Sequence, residues 1–302
     1  MNIVPGYGTD AGASLASHSH VNKISFTGST LVGRSIQRAS ANSNLKKTTL
    51  ELGGKSPSIV FEGADLERAV ESINGGVFYN MGYVTIRPSI LHLRTFLLNV
   101  KRRQNCAASS RVYVQESVYE EFLSKLVSRA SKIVLGDPFD SNTSMGPQIS
   151  KAHHAKIVDM ITQAKEAGCN CILGGDKGPG LFVQPTIFRD VEQSARLMQE
   201  EVFGPVVAVS SFKTPEEALK KANDSCYGLA AAVFTRDIDL GLRMAKSLEA
   251  GSVWLNGYNA ISHQLPFGGY KESGNGKDLG QEGLNEFTQK KQIRVMLGQR
   301  LV

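Results

Sequence analysis

Apolar residues along the chain follow two rhythms. Short runs at Lys23 to Phe26, Lys47 to Leu52, Ser58 to Phe61, Arg111 to Gln115 and Ser252 to Asn256 are bounded by turn-forming residues and read as strands. Between them the spacing becomes helical. Leu66 to Phe78 predicts a helix with Asp65 near its start. Glu116 to Val134 predicts a longer one, with Val118, Phe122, Leu123 and Leu126 on one face. Helices are also expected over Ala11 to Ser17, from the turn Thr27-Gly28-Ser29-Thr30 to about Ala39, over Lys151 to Ala167, and over Gln281 to Phe287. Asn2 to Pro5 and Gln292 to Leu297 read as strands at the two ends. Strand alternating with helix predicts an α/β fold around a parallel sheet.

Composition adds little to that picture, and charge needs one correction. The chain has 302 residues, of which 41% are hydrophobic and 21% charged, enough for one large or two modest cores. The net charge of +6 invites a nucleic-acid or membrane reading. Five of those charges, Arg87, Arg94, Lys101, Arg102 and Arg103, fall in one acid-free segment, Tyr83 to Arg103, without which the remainder carries only +1. No clustered basic footprint remains, so neither nucleic acid nor membrane is expected as a partner. Ser89 to Val100 is too short to span a bilayer and carries His92 and Arg94.

The four cysteines form no CxxC pair, which fits a reducing compartment. Cys169 and Cys171 read as alternate positions of a strand rather than metal ligands. His18, His20, His153 and His154 make no HExxH pattern and read as surface residues, so no metal is expected. With no signal peptide in view, a cytoplasmic location is expected.

Two strings carry chemistry. Cys106 lies in Gln104-Asn105-Cys106-Ala107-Ala108-Ser109-Ser110, where small neighbours leave the sulfur approachable. A thiolate at a turn rich in N–H groups is a strong nucleophile; an isolated cysteine would more often be a buried structural residue. Glu51 ends an apolar strand just before Gly53-Gly54. The carboxyl ends of parallel strands are where such proteins place their sites, and a partly buried carboxylate there can act as a general base. On position alone an exposed strand-end charge is the more common reading.

Five blocks in order decide between these readings. Phe26-Thr27-Gly28-Ser29-Thr30, Glu51-Leu52-Gly53-Gly54-Lys55, Gln104-Asn105-Cys106, Glu201-Val202-Phe203-Gly204-Pro205 and Pro266-Phe267-Gly268-Gly269-Tyr270-Lys271 resemble successive blocks of the aldehyde dehydrogenase family. The resemblance covers everything except Tyr83 to Arg103. It implies a Rossmann-like cofactor domain ending at residue 53, a catalytic domain over 54–272 interrupted by 83–103, and a bridging segment with an oligomerisation strand over 273–302. It also implies a small-molecule aldehyde as substrate, NAD as cofactor with NADP left open, and a homo-oligomer built through the C-terminal strand.

By the same resemblance, Cys106 attacks the aldehyde carbon and Glu51 activates the water that hydrolyses the resulting thioester. The N–H of Cys106 is one oxyanion donor. Gly28 and Ser29 face the cofactor pyrophosphate at a helix start. Glu201 binds the nicotinamide ribose, Phe203 packs near the ring, Lys156 touches the adenosine side, and Phe267 lines the aldehyde tunnel. Gly6-Tyr7-Gly8-Thr9-Asp10-Ala11-Gly12 lacks the GxGxxG spacing but fits the helix start near the adenine.

The chain departs from the family pattern in three ways. The front portion is expected to be missing, and with it the first strands of the cofactor domain, an oxyanion asparagine and a ribose lysine. Glu51 and Cys106 stand 55 positions apart; removing the 21 residues of Tyr83 to Arg103 leaves 34, the separation the resemblance implies, so that segment reads as a clean insertion and as a retained intron. Leu31 stands where the family often has an acid, and His153 where it often has glutamine. The expectation is therefore an aldehyde oxidoreductase by descent, or a catalytically inactive subunit of the same family, with NAD-independent ester hydrolysis as a third possibility.

Overall fold

The computed structural model describes residues 1–78 and 105–296; the expected insertion lies outside them. Asn2 to Pro5 is irregular rather than a strand. Ile3 and Val4 are 79% and 66% exposed, with no neighbouring strand edge among the described residues on which to form a ladder. A single π turn, Gly8–Gly12, leads into the short α1 (Ala13–Ser17). Next come β1 (Lys23–Thr27), α2 (Thr30–Asn42) and β2 (Lys47–Glu51). β1 and β2 run parallel, from Lys23 opposite Lys47 to Thr27 opposite Glu51.

After Gly53-Gly54 the chain enters a second sheet. Its elements are β3 (Pro57–Val60), α3 (Leu66–Phe78), β4 (Arg111–Gln115), α4 (Tyr119–Ala130), α5 (Lys151–Glu166), β5 (Asn170–Leu173), β6 (Thr186–Arg189), α6 (Arg196–Gln199) and β7 (Val206–Phe212). They continue through α7 (Pro215–Asn223), β8 (Tyr227–Gly228), β9 (Ala230–Phe234), α8 (Ile238–Ser247) and β10 (Ser252–Leu255). β11 (Tyr270–Lys271), β12 (Gly274–Asn275) and α9 (Gly280–Glu286) follow. The larger sheet has the order β10-β9-β3-β4-β7-β6-β5 and is parallel except for β5 against β6. β12 crosses back to pair antiparallel with β2, Gly274 opposite Glu51.

Period-two alternation explains why the large sheet is covered on both faces. Val112, Val114, Val207 and Val209 point into one buried cluster, with Val70, Ile73 and Val77 of α3 and Phe122, Leu123 and Leu126 of α4. Tyr113, Val206 and Ala208 point into the other, with Ile157, Met160 and Ile161 of α5, Ala218 and Ala222 of α7 and Met244 of α8.

The helix expected over Glu116 to Val134 is shorter. It starts as a 3-10 turn, Glu116–Val118, and α4 stops at Ala130. The next residues are claimed by an extended pairing: Val134 O accepts from the N–H groups of Ser144 and Met145, and Leu135 bridges Met145. The strand expected at Gln292 to Leu297 is not formed over 292–296. No strand among the described residues lies beside it, and Ile293 and Val295 are exposed.

Candidate active site

β2 delivers Glu51 to the junction of the two sheets. Its backbone is fixed on both sides: Gly28 N–H donates to Glu51 O (3.0 Å), and Leu52 N–H donates to Ser273 O (2.9 Å). The side chain is 4% exposed, and neither carboxylate oxygen has a partner among the described residues. An unpaired buried carboxylate resists ionisation. Burial first, then the charge of Asp278, push it from an ordinary 4.5 up to about 8, with Lys277 opposing.

Cys106 lies just ahead of β4, near enough for the Glu51 charge to act on its thiol. Asn105 shapes its turn: the Asn105 side-chain oxygen accepts from Ala107 N–H (3.0 Å), and Asn105 O accepts from Ala108 N–H (3.1 Å). The buried Tyr258 hydroxyl donates to Ala107 O (2.5 Å). Gly54 permits the approach of the two strings, because a Cβ there would come within 2.5 Å of Cys106 O. Burial first, then Glu201 and Glu51, push the Cys106 thiol up to about 11, while the N–H groups of Ala107 and Cys106 pull it down.

One dipeptide ties nucleophile to base. Phe267 packs with Cys106 against Leu229 and Ala230. At its neighbour Gly268, a Cβ would meet Glu51 Oε1 at 2.5 Å. Phe267 also lines a cavity of about 320 Å³ with Trp254, Ile261, Leu265 and Pro266.

Glu201 joins the cluster from the segment before β7. Its carboxylate accepts from Gly54 N–H (3.0 Å), and a Cβ on Gly53 would strike it at 2.4 Å. Burial raises it, opposed by that N–H and by Lys156 and Lys55. Lys156, exposed on α5, donates to Glu201 O (3.2 Å). Phe203 is held at φ 56° beside His153, whose Nε2 lies 2.8 Å from Phe203 O. Gly28 and Ser29 stand exposed at the start of α2, where Ser29 Oγ accepts from Val32 N–H (3.3 Å). A Cβ at Gly28 would fall 2.4 Å from the Phe26 ring.

A profile of the aldehyde dehydrogenase family matches residues 1–95 and 95–293. The chain belongs to the aldehyde dehydrogenase family. It is 46% identical over 303 residues to an aldehyde dehydrogenase of Davidiella tassiana, covering 100% of this chain and 57% of the relative. With a cytosolic aldehyde dehydrogenase of Rattus norvegicus it shares 46% identity over 302 residues, 99% of this chain and 56% of the relative. It thus spans a little over half the length of these relatives. Among solved structures, an NAD-dependent aldehyde dehydrogenase from Sinorhizobium meliloti superposes with a TM-score of 0.89 at 35% identity, over 99% of this chain and 56% of that one. Betaine aldehyde dehydrogenase from Staphylococcus aureus, solved with NAD+, gives 0.84 at 41% identity, over 93% and 53%.

Motif reading passed over several residues of this cluster. Lys55 is 2% exposed, and burial, then Arg111, lower its ammonium to about 7, with Glu201 and Glu200 opposing. Tyr258 and Lys277 reach the site from loops that have no periodic signature. Among the described residues no helix is long and apolar enough to cross a membrane.

Proposed function

We propose that the chain carries the nucleophile-bearing part of an NAD-dependent aldehyde oxidoreductase, with Cys106 as nucleophile and Glu51 as general base. The observation that supports this most directly is the Phe267-Gly268 dipeptide, which packs beside Cys106 on one side and meets the Glu51 carboxylate on the other. Cys106 Sγ would bond to the aldehyde carbon, and its own N–H would stabilise the oxygen as charge develops there. Glu51, raised to about 8, suits the acceptance of a proton near neutral pH, first from the thiol and later from the water that releases the acid. The cavity beside Phe267 has no charged side chain among its described lining residues, which favours an uncharged aldehyde.

The residues present fit NAD. α2 begins at an exposed turn behind Gly28, where an added side chain would press on the Phe26 ring, a setting that suits a pyrophosphate. Glu201, anchored on Gly54 N–H beside the nucleophile, is placed to accept from ribose hydroxyls. Phe203 would pack near the ring and Lys156 on the adenosine side. Bound there, NAD supplies the hydride acceptor. NADP stays open.

We read residues 1–53 as the end of the cofactor domain, 54–272 as the catalytic domain and 273–302 as the bridging and oligomerisation segment. The exposed Ile293 and Val295 suit strand addition to a second copy. A cytosolic location accords with the rat relative. The test is NAD reduction by a simple aldehyde with Cys106→Ala as control, alongside NAD-free hydrolysis of 4-nitrophenyl acetate. Turnover that Cys106→Ala abolishes supports the proposal. Absence of both activities, with no thermal shift on adding NAD, assigns the chain to an inactive subunit.

A further inference from the structure

Lys277 and Glu51 straddle a single α-carbon. An ideal Cβ on Gly268 would lie 2.5 Å from Glu51 Oε1 and 2.9 Å from Lys277 Cδ. The Lys277 ammonium donates to Gly268 O (2.6 Å) and Gly269 O (3.4 Å), and the side chain is only half-buried, less than the carboxylate it borders. Its main chain is held on both sides. Gly274 and Asn275 pair with Glu51 and Leu50, and the next residue, Asp278, exchanges two 2.8 Å hydrogen bonds with Phe267. The backbone is clamped, and the long side chain reaches over Gly268 with its ammonium 5.0 Å from the centre of the Tyr270 ring. Opposite it, both Glu51 oxygens lack a partner among the described residues.

We infer that Lys277 is a positioning residue for Glu51: its ammonium supplies the counter-charge when the carboxylate ionises, and so sets the pH at which Glu51 can take a proton from water. The inference deepens the proposed function and rests on that reading. A buried carboxylate with no partner ionises only if a cation can approach it. The groups that act on Glu51 from neighbouring elements are few. Asp278 adds repulsion and Lys277 adds attraction, both from the segment after β12. Cys106 faces Glu51 from the turn ahead of β4. On β1, Lys23 lies at the far end of the strand and is bound to Thr49 Oγ1 (2.5 Å). Glu201 is turned away, onto Gly53 and Gly54. Lys277 is therefore the cation positioned to act among the described residues; burial lowers its own ammonium, and the Glu51 charge opposes that.

The test uses the full chain without NAD. The pH profile of 4-nitrophenyl acetate hydrolysis is measured for wild type, Lys277→Gln, Lys277→Arg and Asp278→Asn. Glu51 ionisation is followed separately by carboxyl carbon-13 NMR, assigned with Glu51→Gln. In Lys277→Gln both the Glu51 titration and the rising limb of hydrolysis should move to higher pH, with about tenfold less activity at neutral pH for each pH unit moved. Lys277→Arg should restore the wild-type limb, and Asp278→Asn should move it the other way. The inference is overturned if Lys277→Gln leaves the Glu51 titration in place, or if Lys277→Arg behaves like Lys277→Gln. Loss of ester hydrolysis in wild type would count against the proposed function, while the NMR titration would still decide the role of Lys277.

Discussion

Replacing Glu51 with glutamine should stabilise the fold as it removes the proposed base. The folded-state value of Glu51 is raised from 4.5 to about 8, by burial first and Asp278 second. For an acid raised in this direction, the stability contribution is fully present below about pH 4.5, where both folded and unfolded chains are protonated. It is lost as the pH climbs to about 8, because unfolding lets the group ionise. At pH 7 the proton linkage amounts to roughly 3 kcal/mol as a ceiling, and screening from the open side of the cleft discounts it to about 1–2 kcal/mol. Glutamine keeps the shape and has no charge to release. The assay is urea denaturation of both proteins, followed by far-UV circular dichroism, at about pH 5, 7 and 8.5. The variant's advantage should be small at the lowest pH, grow through neutrality and level off above about 8. Groups elsewhere titrate equally in both proteins and cancel in the difference. An advantage that does not change with pH would refute the reasoning, since the gain would then come from packing and not from a suppressed ionisation.

Three further outcomes follow from the same geometry. Alkylation of Cys106 by iodoacetamide should keep accelerating well above pH 8, because burial and two carboxylates hold the thiol up near 11; Glu201→Gln should speed it at any fixed pH, and a rate already flat at about pH 8 would contradict this. Gly54→Ala would drive a methyl group to 2.5 Å from Cys106 O and should cut ester hydrolysis roughly 100-fold, whereas Gly63→Ala, with nothing within 4 Å, should leave it unchanged; equal rates would show that the nucleophile turn can yield. Arg111→Met should cost about 3–5 kcal/mol in urea denaturation, because the carbonyls of Lys55, Lys221, Ala222 and Asp224 lose a buried donor; a loss under about 1 kcal/mol would mean that water replaces it.

The elements that were legible in the sequence are those whose neighbours also lie in this chain. β3, β4 and α3 read correctly because their alternating or helical faces meet partners on both sides of the sheet. Asn2 to Pro5 misread for the opposite reason: Ile3 and Val4 have strand-like side chains but no adjoining edge among the described residues, and a strand exists only as part of a ladder, while the strand predicted at the C-terminal end is one expected to pair with a second copy. The two-residue strands carry no periodicity at all, yet β12 fixes the Glu51 backbone and leads directly to Lys277. Cys106, Glu51, Glu201 and Phe267 were visible as motif residues, but not their contacts. The bond from Gly54 N–H to Glu201 crosses 147 positions, beyond any local pattern. Lys156 was legible only as a residue near the cofactor; the structure shows it bound to Glu201 O.

Two buried charged residues, one in each sheet, show why the site reads as chemistry rather than as a packing solution. Arg111, 1% exposed, spends its donors on four carbonyls and on the Tyr113 hydroxyl, closing the C-terminal end of α7. Glu51, 4% exposed, has no partner for either oxygen among the described residues. Neutral amides such as Asn74 and Gln148 are also unpartnered, but an unpaired amide costs far less than a carboxylate. Packing alone would favour a glutamine or an apolar side chain at position 51. The same holds for Lys55, lowered to about 7, and for Cys106, raised to about 11. Three groups displaced from their ordinary values gather in space around Gly53 and Gly54, an arrangement that proton transfer favours more than stability does. On the proposed function, Arg111 belongs to the scaffold and Glu51 to the chemistry. That distinction is what the opposite signs expected for Arg111→Met and Glu51→Gln put to the test.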